Sequence, residues 1–135
     1  MKNVVLVDTN IISYQHNEHS LWDVYEPRLK GQVLLTAAQS VAEIRYGAFR
    51  RDWGMPRLER LEHFIGMYTV VYPNDAICTI WARTRASAEK IGRPIENNDT
   101  WIAATALTLG IPLVTHNKKH FDFLEDLILI SERVE

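Results

Sequence analysis

The stretch that most constrains this chain is Asn3-Val4-Val5-Leu6-Val7-Asp8-Thr9-Asn10. Four apolar residues follow one another, three of them β-branched, and the chain then turns abruptly to Asp-Thr-Asn. So short and uninterrupted an apolar run reads as a strand buried on both faces, as a central parallel strand is. Its carboxyl end delivers Asp8, Thr9 and Asn10 to the sheet edge, where open α/β sheets keep their ligands and chemistry. Asp8 or Asn10 can equally cap the helix that Ile11 and Ile12 begin. On this stretch alone both readings stand.

The chain beyond it alternates strand and helix. A helix-prone stretch, 11–15, leads into His16-Asn17-Glu18-His19, read as a solvated loop because the two histidines have no Cys or carboxylate partner in register for a metal. Ser20 is placed to cap a helix carrying Leu21, Val24, Tyr25 and Leu29, which Gly31 ends. Residues 32–36 read as a second buried strand. Ser40 and Glu43 have the spacing of a capping box, opening a helix with Val41, Ile44 and Ala48 on one face. Gly54 and Pro56 interrupt it, and a helix with Leu58, Leu61, Ile65 and Tyr68 runs back, predicting a helical hairpin at about 40–67. A third strand at 69–72 precedes a helix whose face is Ile77, Ile80, Trp81, Thr84, Ala88 and Ile91, stopped by Gly92. Asn97-Asn98-Asp99 opens a helix apolar almost all round, hence buried, and Gly110 and Pro112 end it. Residues 113–115 and 127–130 are the last two strands. Such alternation means βαβ units and a parallel sheet covered on both faces.

A chain of 135 residues, 47% hydrophobic, has material for one substantial core, so a single domain over 1–135 is expected. The net charge of −2 shows no global preference for a polyanion, which leaves local clustering to provide one. Arg45, Arg50, Arg51, Arg57 and Arg60 make the hairpin the most basic region, diluted by Asp52, Glu59 and Glu62 into a salt-bridged surface. Cys78 is alone, which rules out an internal disulfide and a Cys-based zinc site. The apolar start breaks at Asp8, and no run approaches the ~20 apolar residues of a membrane span. A soluble, cytoplasmic protein with no membrane partner is expected.

On this skeleton the acids collect. Asp8 follows strand one, Glu43 is placed in the first turn of the helix after strand two, Asp99 in the first turn of the helix before strand four, and Asn117 follows strand four. In a parallel sheet all four positions lie along one rim. Carboxylates so close repel one another and hold protons unless a cation neutralises them. Oxygen-only ligands favour Mg²⁺ or Mn²⁺ over zinc. Taken singly, Glu43 can be half of a capping box, Asp99 a first-turn acid favoured by the helix dipole, and Asn117 a turn residue.

Four segments carry a resemblance. Val-Asp-Thr-Asn (7–10), Ser-Val-Ala-Glu-Ile-Arg-Tyr-Gly-Ala (40–48), Asn-Asp-Thr-Trp-Ile-Ala-Ala (98–104) and Leu-Val-Thr-His-Asn-Lys-Lys-His-Phe (113–121) are similar to PIN-domain nucleases, most of all to the VapC-like toxins of toxin–antitoxin pairs. The resemblance spans essentially the whole chain. It implies a three-layer α/β/α sandwich on a five-stranded parallel sheet, and Mg²⁺- or Mn²⁺-dependent endoribonuclease activity. It puts Asp8, Glu43 and Asp99 at the family's acidic metal positions. Asn117 stands where many relatives have Asp, offering an oxygen but no charge. Thr9, Asn10 and Thr115 take supporting roles around the acids. A homodimer and a cognate antitoxin, whose arginine or lysine masks the acids, are the partners implied beside the RNA substrate.

The mechanism expected is hydrolysis of an RNA phosphodiester, with no covalent intermediate, since no Ser or Cys nucleophile arrangement is present. Arg45, Arg50, Arg51, Lys118 and Lys119 are candidates for phosphate contacts, with salt-sensitive binding. Two rival readings fit the residues less well. An aspartyl-phosphate enzyme built on Asp8 wants a second Asp two residues on, and Asn10 is there. A catalytically weak or inactive binding module sits poorly with three intact acids.

Overall fold

The computed structural model describes residues 3–133. Its chain order is β1 (Val4–Val7), α1 (Thr9–His16), α2 (Ser20–Leu29), β2 (Val33–Ala37), α3 (Ala38–Arg50), α4 (Met55–Ile65), β3 (Thr69–Val71), α5 (Asp75–Lys90), α6 (Asn97–Leu109), β4 (Leu113–Val114), a 3₁₀ turn (Lys118–His120) and β5 (Leu129–Ile130). The five strands form one sheet in the order β3-β2-β1-β4-β5. Every pairing is parallel, with Leu6 opposite both Leu35 and Leu113. The chain therefore folds as the three-layer α/β/α sandwich expected of it, with β1 in the centre.

The pleat divides the core in two. Val5 and Val7 point to one face, where Ile11, Ile12, Tyr25, Val41, Ile44, Leu61 and Ile65 pack from α1–α4. Leu6, between them, points to the other face and meets Ile102, Ala103 and Ala106 of α6, with Phe121 beyond. Both sets are almost wholly removed from water, which is why strand one tolerates no polar residue. Helix α6 is buried on nearly all sides because α5 covers its outer face, with Trp81 stacked on Trp101 at 5.2 Å. Its threonines return their hydroxyls to the backbone one turn back, Thr100 to Glu96 and Thr105 to Trp101, so the buried helix carries no hydroxyl without a bond there. Gly110 ends it in the left-handed region at φ 66°, where a side chain is strained.

Several local expectations fail. Helix α3 starts at Ala38 with Ala37 as its N-cap, so Ser40 lies inside it and the capping box with Glu43 does not form. Glu43 consequently sits in the second turn, not the first. Ser20 does not cap α2; His19 does, its Nδ1 accepting the Leu21 N–H at 3.0 Å. Helix α1 runs on through His16, which is buried and stacked on Trp53 at 4.9 Å rather than solvated. Tyr72 and Ile91 fall outside their strand and helix and are exposed. The basic surface of α3 and α4 is salt-bridged as read, Arg45 to Glu62 at 2.7 Å and Arg60 to Glu18 at 2.9 Å.

Candidate active site

The carboxyl edge of the sheet gathers the acids. Asp8 ends β1 and is 4% exposed, held there by its own backbone N–H to the Val114 carbonyl at 2.9 Å. It caps α1 and closes the site at once: Oδ1 accepts the Thr9 N–H at 2.8 Å, and Oδ2 accepts the Thr115 hydroxyl at 2.7 Å. The two readings of Asp8 were never exclusive. Thr9 then hands the network on, donating its hydroxyl to Glu43 Oε1 at 3.2 Å. Asp99, in the first turn of α6, has Oδ2 3.1 Å from the Nδ1 of His120, which donates to it. Chains from β1, α1, α3, α6 and the segment after β4 thus meet at one place.

The acids lie within one another's fields. Burial, above all, raises the Asp8 carboxyl above its ordinary value; the Thr115 and Thr9 bonds pull it back, and the charge of Asp99 pushes it up again. Burial likewise raises Glu43, opposed by Thr9 and reinforced by Asp8, Asp99 and Glu96. Asp99 is raised by burial and by Glu96, against the pull of His120. The site is a cluster of carboxylates that disfavour one another's charge.

Two members escaped the sequence reading. Glu96, the N-cap residue of α6, adds a fourth negative field, and its spacing of three residues before Asp99 puts both on one helix face. His120 lies three residues beyond Asn117 in a segment already under suspicion, but nothing in that spacing points to Asp99, 21 residues away.

The PIN-domain family profile matches residues 5–125, from β1 to beyond the 3₁₀ turn. This chain belongs to the PIN-domain family. It is 33% identical over 126 residues to Ribonuclease VapC1 of Haemophilus influenzae, covering 92% of this chain and 94% of that one. Among solved structures it is similar to VapBC2 from Rickettsia felis bound to a promoter DNA fragment, at a TM-score of 0.85 and 26% identity over 96% of this chain and 99% of that one. It is also similar to VapBC-1 from nontypeable H. influenzae, at 0.79 and 32% over 95% and 97%.

The other expected residues of this PIN domain are placed unevenly. Asn117 is exposed at the head of the 3₁₀ turn, its backbone N–H donating to Thr115 Oγ1 at 3.0 Å, and Lys118 and Lys119 follow it, also exposed. Asn10 Oδ1 faces the His116 N–H at 3.5 Å. Arg45 turns to Glu62 of α4, so its guanidinium is already engaged. Arg50, seven residues or about 10 Å along α3 from Glu43 on the same face, is exposed beside the Tyr46 ring. Arg51 is exposed where α3 ends, its guanidinium lying back against Gly47.

The donor set fits a hard divalent cation. Every candidate ligand is an oxygen, and among the described residues two buried polar atoms beside the acids lack a partner, Asn10 Nδ2 and Ser40 Oγ. Ser40 stands three residues before Glu43, on its face of α3. Yet among the described residues no three His, Cys, Asp or Glu side chains lie close enough together, as they stand, to hold a metal ion. An open ring of acids with nearby hydrogen-bonding groups suits a cation that keeps much of its water, as Mg²⁺ does.

Proposed function

We propose that this chain is an endoribonuclease that hydrolyses RNA phosphodiesters with the help of Mg²⁺ or Mn²⁺, and that it is the toxin of a toxin–antitoxin pair. The observation that carries the reading is the placing of Asp8, Glu43 and Asp99 at the carboxyl edge of a PIN-family sheet, the first two tied together through Thr9, Asp8 braced by Thr115, and Asp99 held by His120. Its relatives named as ribonucleases and the likeness to VapBC structures support the activity and the partner.

In this reading Asp8, Glu43 and Asp99 hold the cation, and Asn117 offers an amide oxygen at the rim. The chemistry a bound Mg²⁺ or Mn²⁺ supplies is polarisation of a phosphoryl oxygen and a lowered pKa for the attacking water. The chain's own part is order. Thr9 and Thr115 fix the faces of Glu43 and Asp8, His120 fixes Asp99, and the buried sheet edge keeps bulk water from the inner carboxylate. Lys118, Lys119 and Arg50 offer charge to the phosphates of the strand. Arg45 is withdrawn from that role by Glu62. An antitoxin that places an arginine or lysine among the acids would silence them by taking the cation's place.

Incubating the purified protein with single-stranded RNA tests this. Cleavage in Mg²⁺ or Mn²⁺ that EDTA abolishes is the expected result, and undiminished cleavage in EDTA sinks the metal mechanism. Light scattering at micromolar concentration tests the homodimer, which a monomer mass refutes.

A further inference from the structure

Beneath the rim after β4 lies a hydrogen-bonded chain that the acid site does not use. Tyr25 is fully buried on α2, yet its hydroxyl surfaces at His116, 2.6 Å from Nδ1. The same oxygen accepts the backbone N–H of Glu132 at 3.1 Å, and Glu132 is ion-paired with Arg28. A phenol has one hydrogen to give. The alternative acceptor, the Thr115 carbonyl, lies at 3.5 Å, so the short contact to Nδ1 takes that hydrogen. Nδ1 of His116 is therefore an acceptor, and the neutral imidazole carries its proton on Nε2. That N–H has no protein partner among the described residues, and it is not one of the buried polar atoms left unsatisfied. It is a donor facing outward.

Its surroundings suggest what it meets. Thr115, next to His116, is bonded to Asp8, so the imidazole stands within about one residue's length, 3.8 Å between Cα atoms, of the acid site's support. Asn117, Lys118 and Lys119 follow on the exposed turn. Residues 116–119 therefore present an imidazole N–H, an amide and two ammonium groups in succession, leading away from the carboxylates; the Thr115 hydroxyl is already given to Asp8. Tyr14 stands edge-on to the imidazole at 6.0 Å and Tyr25 at 5.5 Å, so the ring is braced on two sides.

We propose that His116 is a substrate-binding residue that gives its Nε2–H to a non-bridging phosphate oxygen of the RNA strand flanking the scissile bond, and that Tyr25 is the positioning residue that fixes the tautomer. The proposal rests on the nuclease reading of the acid site. A phosphate is favoured over a base edge because His116 Nε2, Lys118 and Lys119 can only donate, the Asn117 amide can donate as well, and a phosphate is all acceptor.

Long-range ¹H–¹⁵N spectra of the full chain, with the His116 signals identified from His116→Ala, report the tautomer. The wild type should show the Nε2–H form and Tyr25→Phe a mixture of both forms, with melting curves establishing that the variant is folded. Binding of fluorescent single-stranded 12-mers, poly(U) and poly(A), is then read in EDTA, where no cleavage is expected. His116→Ala should bind both about tenfold more weakly, as the loss of one charge-assisted hydrogen bond predicts. His116→Gln, which keeps an N–H near the Nε2 position, should recover part of the loss. In Mg²⁺ the Ala variant should raise KM and leave kcat within about twofold. An Nδ1–H tautomer in the wild type, or binding by His116→Ala within about twofold of wild type, overturns the proposal. A loss seen with one homopolymer alone means a base contact and overturns the phosphate assignment. If the wild type binds no RNA in EDTA and cleaves none in Mg²⁺, the nuclease reading fails and takes the substrate role with it, whatever the tautomer.

Discussion

Replacing Glu43 by Gln separates a ligand from a bystander. The substitution keeps length and an oxygen, so the Thr9 hydroxyl keeps its acceptor, and no cavity opens. What it removes is one negative charge from a half-buried position in the fields of Asp8, Asp99 and Glu96. Burial first, and then their combined push, raises the Glu43 carboxyl, and a raised carboxyl is one the fold prefers neutral. The sign follows. The contribution of Glu43 to the stability of the metal-free wild type is fully present below the ordinary carboxylate range and is lost as pH rises through its raised value. The Gln variant lacks that step. A pair of charges at a partly exposed site is worth about 0.2–1 kcal/mol, so losing one like charge should bring a gain on the order of 1 kcal/mol at pH 7.5. In a 135-residue chain that is a rise of about 3–5 °C in Tm. At pH 4 the difference should vanish. Divalent cation inverts the ranking: a site tenfold above its Kd gains about 1.4 kcal/mol, and the variant should gain clearly less. Cleavage should fall by about tenfold or more. The assay is a set of melting curves at pH 4 and 7.5, with EDTA and with millimolar Mg²⁺, beside RNA cleavage. A variant with wild-type Tm in EDTA, an unchanged Mg²⁺ shift and full activity would refute the reasoning.

Asp99→Asn should leave the fold intact and lower the cleavage rate by orders of magnitude, measured as single-turnover cleavage beside circular dichroism. His16 is held neutral by burial, with Arg57 and Arg60 also opposing its charge and the Asn17 bond favouring it, so its pKa is lowered. The unfolded chain then binds more protons near pH 6, and stability is lost as pH falls below about 6.5. His16→Phe, which preserves the stack on Trp53, should flatten that part of the pH profile of the urea midpoint, and a profile identical to wild type refutes the assignment.

Burial pattern made much of this architecture legible. The unbroken run at 4–7 reads as a central strand, and Asp8 just beyond it marks the edge where the acids lie. Helix α6 read as buried because it offers no polar face. What misled was local grammar without tertiary context. Ser40 and Glu43 have capping-box spacing, but the helix begins three residues earlier, where β2 runs straight into Ala38. His16 looked solvated because its partner, Trp53, lies 37 residues on, and His120 was missed because its bond to Asp99 crosses between α6 and the turn after β4. No period in a sequence encodes a contact of that kind.

The bond between Thr115 and Asp8 spans 107 residues, and β1 has β4 as its second neighbour. A ribosome delivers these partners 107 residues apart. Until residues beyond Thr115 have emerged, β1 has one open edge, Asp8 lacks its Thr115 bond, and α6 has only part of its sheet to lie on. Until synthesis has passed Thr115, the innermost acid of an enzyme that attacks RNA is thereby left without the bond that holds it in place.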